Sequence, residues 1–186
     1  MKYAAVVIGA SAGGIQALRS ILASLSSDFS LPIIVVQHRP PTLDNFFVDS
    51  LNTAPHLLIK EADDKEPIKP KHVYFAPANY HLLVEQNKTL SLSVDAKVRY
   101  SRPSIDILFS TASDAYFSQL IGIILTGAND DGTEGLKHIK AHGGLTIAHD
   151  PQTAVSPEMP RSAIREKVID KILSLTEIAH FLNTIH

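Results

Sequence analysis

The 186-residue chain contains no cysteine, and that absence alone removes disulfide bridges and thiolate metal centres from consideration. It suits a reducing compartment, and a cytoplasmic location is expected. Long apolar runs are also missing. No stretch approaches the roughly twenty apolar residues of a membrane-spanning helix, so no direct membrane insertion is expected. Lys2, the apolar Tyr3–Ile8 and the small Ala10-Ser11-Ala12 imitate a signal peptide with its cleavage site. That core is shorter than the roughly seven residues the shortest such signals use. Neither sign of charge is in excess: 17 Lys and Arg against 19 Asp and Glu leave a net charge of −2. The totals therefore give no electrostatic ground for nucleic-acid binding. Repeats, low-complexity tracts and coiled-coil heptads are absent too, and 45% hydrophobic with 19% charged residues suits one globular core. A monomeric single domain over residues 1–186 is expected.

What is present is an alternation. Short Val/Ile-rich runs at Ala4–Ile8, Ile33–Val36, Val73–Ala76, Leu120–Leu125 and Leu145–Ala148 are separated by segments of helical period. Those helices are expected at Gly14–Leu25, Leu43–Thr53, Ile105–Phe117, Gly132–His142, Ser162–Ile169 and Leu175–Ile185. Continuous apolar runs of this length fit strands buried on both faces, so the chain predicts an α/β fold with a doubly wound, mostly parallel sheet and helices on both faces. Leu82–Glu85 and Leu90–Val94 differ, because the second alternates apolar with polar and Asn87-Lys88 lies between them. They predict an antiparallel hairpin at one edge of the sheet.

The chemistry-bearing segment is Ile8-Gly9-Ala10-Ser11-Ala12-Gly13-Gly14, where a buried strand passes through a glycine turn into a helix. It matches a G-x-S-x-G elbow, in which small residues let the backbone bend and present a hydroxyl at a helix N-terminus. Serine needs a general base to take its proton. His38 follows the second strand directly, before Pro40-Pro41, and the C-terminal ends of parallel strands open on one edge. An orienting carboxylate is then required. Asp130 and Asp131 follow the strand Leu120–Leu125, although aspartate before a helix is also an ordinary N-cap. The N–H of Ala12, just after the serine, is a natural oxyanion donor. His138 and His142 stand four apart on one helix, but the segment lacks the glutamate of H-E-x-x-H and precedes Gly143-Gly144, a helix C-terminus where histidine is at home. No metal is expected there. Arg39, Arg99, Arg102 and Arg161 lie in loops beside the proposed crevice and suit a carboxylate-rich substrate.

Six ordered segments carry a family resemblance: Ile8–Gly14, Val36-Gln37-His38-Arg39-Pro40, His72–Pro77, Arg102-Pro103-Ser104-Ile105-Asp106, Leu125-Thr126-Gly127 with Asp131-Gly132, and Met159-Pro160-Arg161. On them the chain resembles, over nearly its whole length, the catalytic domain of chemotaxis-type protein-glutamate methylesterases, the CheB family. The resemblance implies Ser11 as nucleophile, His38 as general base and then acid, Asp131 as orienting carboxylate, and Ala128 N–H as second oxyanion donor. Such donors are worth roughly 3–4 kcal/mol each to a transition state. It also implies hydrolysis of glutamate methyl esters on a methylated chemoreceptor-like protein, deamidation of particular glutamines, and no cofactor. Arg102 and Arg161 lie within matched segments and are read as substrate-docking residues. Three departures bear on substrate fit: Ala12 stands where the family commonly has threonine, Ala128-Asn129 where it has methionine-glycine, and Ala76-Pro77-Ala78-Asn79 lacks paired glycines. Family members are often led by a phosphorylated receiver domain. Here the match starts with the first strand, so either activity is constitutive or a separate receiver or signalling regulator of a phosphorelay supplies control. Two other readings compete: a nucleotide-binding module using the glycine turn, and a catalytically silent scaffold of the same fold. Against the first, Ser11 replaces the second glycine of G-x-G-x-x-G, and Gln37-His38 replaces the ribose-binding acid.

Overall fold

In the computed structural model, which describes residues 2–39, 48, 50, 51 and 54–185, the apolar runs form strands with no solvent-facing side. Strands β1 (Ala5–Ala10), β2 (Ile33–Gln37) and β7 (Leu120–Ile124) are buried along their whole length. With β3 (Leu58–Glu61), β4 (His72–Phe75), β8 (Leu145–His149) and β9 (Lys171–Leu173) they make a seven-stranded sheet in the order β3-β4-β2-β1-β7-β8-β9. Every pairing in it is parallel. Side chains alternate between its faces, as the pleat requires. Val6, Ile8, Ile33, Val35, Ile121 and Ile123 meet helices α1 (Gly14–Ala23) and α5 (Leu175–Thr184). Ala5, Val7, Ile34, Val36 and Ile124 meet α2 (Ile105–Tyr116), α3 (Thr133–Ala141) and α4 (Glu158–Arg165). Each fully buried branched side chain contributes roughly 1.5–3 kcal/mol, which makes β1, β2 and β7 rigid footings for the loops at their C-terminal ends.

The antiparallel hairpin of β5 (His81–Val84) and β6 (Leu90–Ser93) forms, but as a separate two-stranded sheet and not as an edge of the main one. Its apolar residues Leu82, Val84 and Leu90 are buried with α2, and Val84 N–H donates to Thr111 Oγ1 at 3.2 Å. A helix face could absorb that apolar row as well as a sheet edge could. The edges belong to β3 and β9, which the sequence reading left out because Leu58-Ile59-Lys60-Glu61 and Lys171-Ile172-Leu173 are short and partly exposed. Helix α4 begins at Glu158, four residues before the expected Ser162. Pro160 falls in its first turn, where the missing N–H costs nothing. The expected helix Leu43–Thr53 falls largely outside the described residues.

From β1 the chain passes to β2, on to the edge strand β3 and back to β4 between them, and from β7, on the other side of β1, it winds outward through β8 to β9. The crevice between the C-terminal ends of β1 and β7 is the topological switch point, where open α/β sheets place their ligands.

Candidate active site

Ser11, His38 and the segment 126–131 all leave the sheet at this switch point. Ala10 pairs with Gln37, and His38 N–H donates to Ala10 O at 2.9 Å. Ser11 and His38 therefore stand side by side on adjacent strands, their backbones roughly 5 Å apart. Both line a cavity of about 350 Å³ with Ala12, Gly13, Gln37 and Arg39. On its other side His38 borders a second cavity, of about 210 Å³, with Asn79, Tyr100, Arg102 and Pro103.

His38 Nε2 lies 2.9 Å from Asp131 Oδ2, with Asp131 fully buried and the imidazole 13% exposed. Burial works to raise the Asp131 pKa, but hydrogen bonds from His38 and from the N–H groups of Ile105 and Asp106 overcome it and hold the carboxyl below its usual range. An ionised carboxylate only accepts hydrogen bonds, so Nε2 must carry the proton that points at it. That leaves the Nδ1 lone pair available to accept a proton. Among the described residues the serine-to-imidazole hydrogen bond is not formed; such bonds often close only around substrate.

Asp131 is held by more than histidine. Its carboxylate accepts from Ser104 Oγ (3.0 Å), Ile105 N–H (2.8 Å) and Asp106 N–H (3.0 Å), so it caps the N-terminus of α2. Asp106 returns the arrangement, its Oδ1 accepting from Gly132 N–H (2.9 Å) and Gly135 N–H (2.8 Å) at the start of α3. The two helices thus cap each other through paired carboxylates. Burial and the neighbouring Asp131 charge push the Asp106 carboxyl up to about 6, against the pull of the Gly135 N–H and Arg99. Asp130 turns away to pair with Arg99, which also lies 3.5 Å from Asp106 Oδ2. Gly132 makes the turn after Asp131 at φ +100, and a Cβ there would lie 2.7 Å from Ile105 Cγ2. The hairpin contributes His81, fully buried, whose Nδ1 accepts from Ser104 N–H at 3.1 Å while Nε2 reaches Ala96 O at 3.1 Å. A supporting chain therefore runs from His81 through Ser104 and Asp131 to His38.

The serine side is braced by Gln37. Its Nε2 donates to Ser11 O (2.9 Å) and His38 O (2.8 Å), tying the two loops together. Gly14 N–H also donates to Ser11 O, at 2.8 Å. Carbonyl and N–H of one trans peptide point in opposite directions, so two donors on Ser11 O aim the Ala12 N–H away from Gln37 and Gly14. Gly14 permits the close approach, since a Cβ there would sit 2.1 Å from Gln37 Oε1. Across the crevice, Ser11 N–H donates to Thr126 O (2.9 Å) and Thr126 Oγ1 donates to Ala12 O (2.8 Å), so the elbow and the loop bearing Ala128 form one unit. Among the described residues neither Ala12 N–H nor Ala128 N–H is used by a protein acceptor.

The four arginines separate. Arg39 pairs with Glu61 and Arg99 with Asp130 and Asp106. Arg102 borders the 210 Å³ cavity, its Nη1 donating to Val94 O (2.6 Å) and Asp95 O (2.9 Å). Arg161 is exposed on α4 and borders neither cavity. Sequence reasoning passed over Gln37, His81, Ser104, Asp106 and Thr126. The signal for Gln37 was a polar residue closing an otherwise apolar strand; Asp106 and Thr126 lay inside matched segments without an assigned role.

A serine on a strand-to-helix elbow, with a histidine bonded to a buried carboxylate beside it at the carboxyl edge of a parallel sheet, is the arrangement that α/β serine hydrolases use. The chain belongs to the CheB methylesterase family, whose model matches residues 6–182. It is 52% identical over 179 residues to a Leptospira interrogans protein provisionally named protein-glutamate methylesterase/protein-glutamine glutaminase, covering 96% of this chain and 93% of that protein. A Thermotoga maritima protein-glutamate methylesterase/protein-glutamine glutaminase is 40% identical over 176 residues, or 93% of this chain and 51% of the relative. The crystal structure of the Thermotoga maritima CheB methylesterase catalytic domain superposes over 100% of both chains, with a TM-score of 0.94 and 36% identity. Family membership sets aside the nucleotide-binding alternative. No helix among the described residues is long and apolar enough to cross a membrane.

Proposed function

We propose that the chain is a protein-glutamate methylesterase that hydrolyses glutamate γ-methyl esters on a methylated chemoreceptor-like protein, with Ser11 as nucleophile. Ser11 Oγ attacks the ester carbonyl as its proton passes to His38 Nδ1, and Asp131 stabilises the resulting imidazolium through Nε2–H. Ala12 N–H and Ala128 N–H receive the charge on the carbonyl oxygen. The tetrahedral adduct collapses to an acyl-enzyme, and methanol leaves with the proton from His38. Water, deprotonated in turn by His38, attacks the acyl carbon, and the adduct collapses to the glutamate carboxylic acid, which ionises, as His38 returns the proton to the departing Ser11 Oγ. Glutamine deamidation follows the same route with ammonia as leaving group. No step draws on a cofactor.

The observation that carries this reading is the 2.9 Å His38–Asp131 contact beside Ser11, which fixes the tautomer that serine activation needs. Arg102 and Arg161 would meet carboxylates flanking the target glutamate, Arg102 from the cavity wall and Arg161 from α4. The absence of cysteine is in keeping with a cytoplasmic protein. The test is methanol release from a methylated receptor fragment by the wild type and Ser11→Ala. Release confined to the wild type supports the assignment; equal release removes Ser11 from the mechanism, and no release by either leaves a silent scaffold.

A further inference from the structure

At the far ends of α2 and α3, away from the catalytic edge, three metal-ligating side chains converge. Asp114 lies on α2 roughly 12 Å along the helix from Asp106. His138 and His142 come from the last turn and C-cap of α3. His138 Nε2 is 2.8 Å and His142 Nδ1 3.8 Å from the same Asp114 Oδ1, and one ligand atom of each residue lies within 4.8 Å of the others. The imidazoles meet edge to face with centroids 4.6 Å apart.

We propose that Asp114, His138 and His142 form a binding site for a borderline divalent transition-metal ion of the zinc type. Two imidazoles and one carboxylate are the donor set of many open zinc sites, and water completes the fourth position. With metal–ligand bonds of about 2.0–2.1 Å, two ligands of a tetrahedral ion stand about 3.3 Å apart, so the 2.8 and 3.8 Å separations need only side-chain adjustments. The side chains are 52%, 42% and 30% exposed, leaving an open path for an ion. The third ligand comes from another helix, so the i, i+4 histidine pair alone could not reveal the site. Ser113 Oγ now bonds His142 Nδ1 at 2.9 Å, and by turning to His138 O, already 3.3 Å away, it would free that nitrogen. Phe117 also packs against the His142 ring, with centroids 5.2 Å apart. A bound ion would clamp the C-terminal ends of α2 and α3, whose N-terminal ends already cap each other.

The test is calorimetric titration of the whole chain with Zn²⁺ in a non-chelating buffer, with Mg²⁺ as an oxygen-preferring control and Co²⁺ absorption as a probe of coordination. One saturable Zn²⁺ equivalent is expected, with a tetrahedral-type Co²⁺ band and no matching Mg²⁺ response. His138→Ala and Asp114→Ala should each weaken it by at least the roughly 10-fold that loss of a mere supporting group costs a metal centre. His180→Ala, at an exposed histidine elsewhere, should change nothing. Zn²⁺ should also raise the melting temperature of the wild type and not of His138→Ala, both melts being equal in chelator. No saturable Zn²⁺ binding, or binding unchanged in both ligand variants, overturns the proposal and leaves an ion pair at a helix C-terminus.

Discussion

Replacing Asp131 by asparagine tests whether one carboxylate serves both catalysis and fold. Oδ2 accepts from His38 and Ile105 N–H; Oδ1 accepts from Ser104 and Asp106 N–H. An amide NH₂ in the Oδ2 place confronts His38 with a donor, driving the imidazole to the tautomer with its proton on Nδ1, where it cannot take one from Ser11. In the Oδ1 place the amide spares the tautomer, but the imidazolium still loses its counter-charge. Either rotamer sets NH₂ against one backbone N–H of α2, a buried mismatch costing roughly 1–3 kcal/mol. Loss of a negative charge at the helix N-terminus adds roughly 0.3–2 kcal/mol. Asp131→Asn should therefore lower kcat by roughly 10⁴-fold, as expected when the orienting aspartate of a serine triad is neutralised. It should also lower the unfolding free energy measured in urea by about 2–4 kcal/mol. Ser104→Ala, which removes one hydroxyl donor to the carboxylate and leaves the tautomer alone, should keep kcat within about tenfold, since one such bond is worth roughly 1.5 kcal/mol. Methanol-release kinetics and urea melts on both variants settle it. If Asp131→Asn turns over within tenfold of the wild type, the tautomer argument is wrong.

Three further outcomes follow from the same geometry. Gln37→Leu removes the donors to Ser11 O and His38 O, so kcat should fall by about tenfold or more while KM for the methylated substrate moves less, because each bond is worth roughly 1 kcal/mol; comparable losses in kcat for Gln37→Leu and a remote surface variant would refute the brace. Asp106, with its carboxyl raised to about 6, contributes stability that is complete below the ordinary carboxylate range and is lost as pH rises through 6. An uncharged amide at this position keeps an oxygen acceptor for the N–H groups of Gly132 and Gly135, so Asp106→Asn should gain on the wild type between pH 4 and pH 7 by up to about 3 kcal/mol in urea melts; a difference flat with pH would refute it. Asp131 works with the opposite sign, its contribution present above the ordinary carboxylate range and lost as pH falls below it. Gly132→Ala puts a Cβ at φ +100 and 2.7 Å from Ile105 Cγ2, and should lower both thermal stability and kcat by displacing Asp131; unchanged values for both would show that the turn has slack.

The strands that hold the site were legible because burial on both faces leaves continuous apolar runs, and Ser11 and His38 were legible because each directly follows such a run. The choice of Asp131 over Asp130 came through family resemblance, and in the structure Asp131 faces His38 while Asp130 faces Arg99. Edge strands β3 and β9 escaped notice because a strand paired on one side needs little apolar character. The hairpin's place was misjudged because an alternating pattern says which face is buried and not what covers it. His81, Ser104 and Asp106 were illegible as a group: each contact spans more than twenty residues of sequence, and no local spacing encodes them. The same holds for Asp114 beside His138.

The central claim, that Ser11 becomes the acylated residue by passing its proton to His38, is tested most directly by intact-mass and peptide mapping after reaction with a fluorophosphonate. A single adduct on Ser11 is predicted, absent from Ser11→Ala and formed far more slowly by His38→Gln. An adduct on another residue, or Ser11 labelling at full speed without His38, would contradict it.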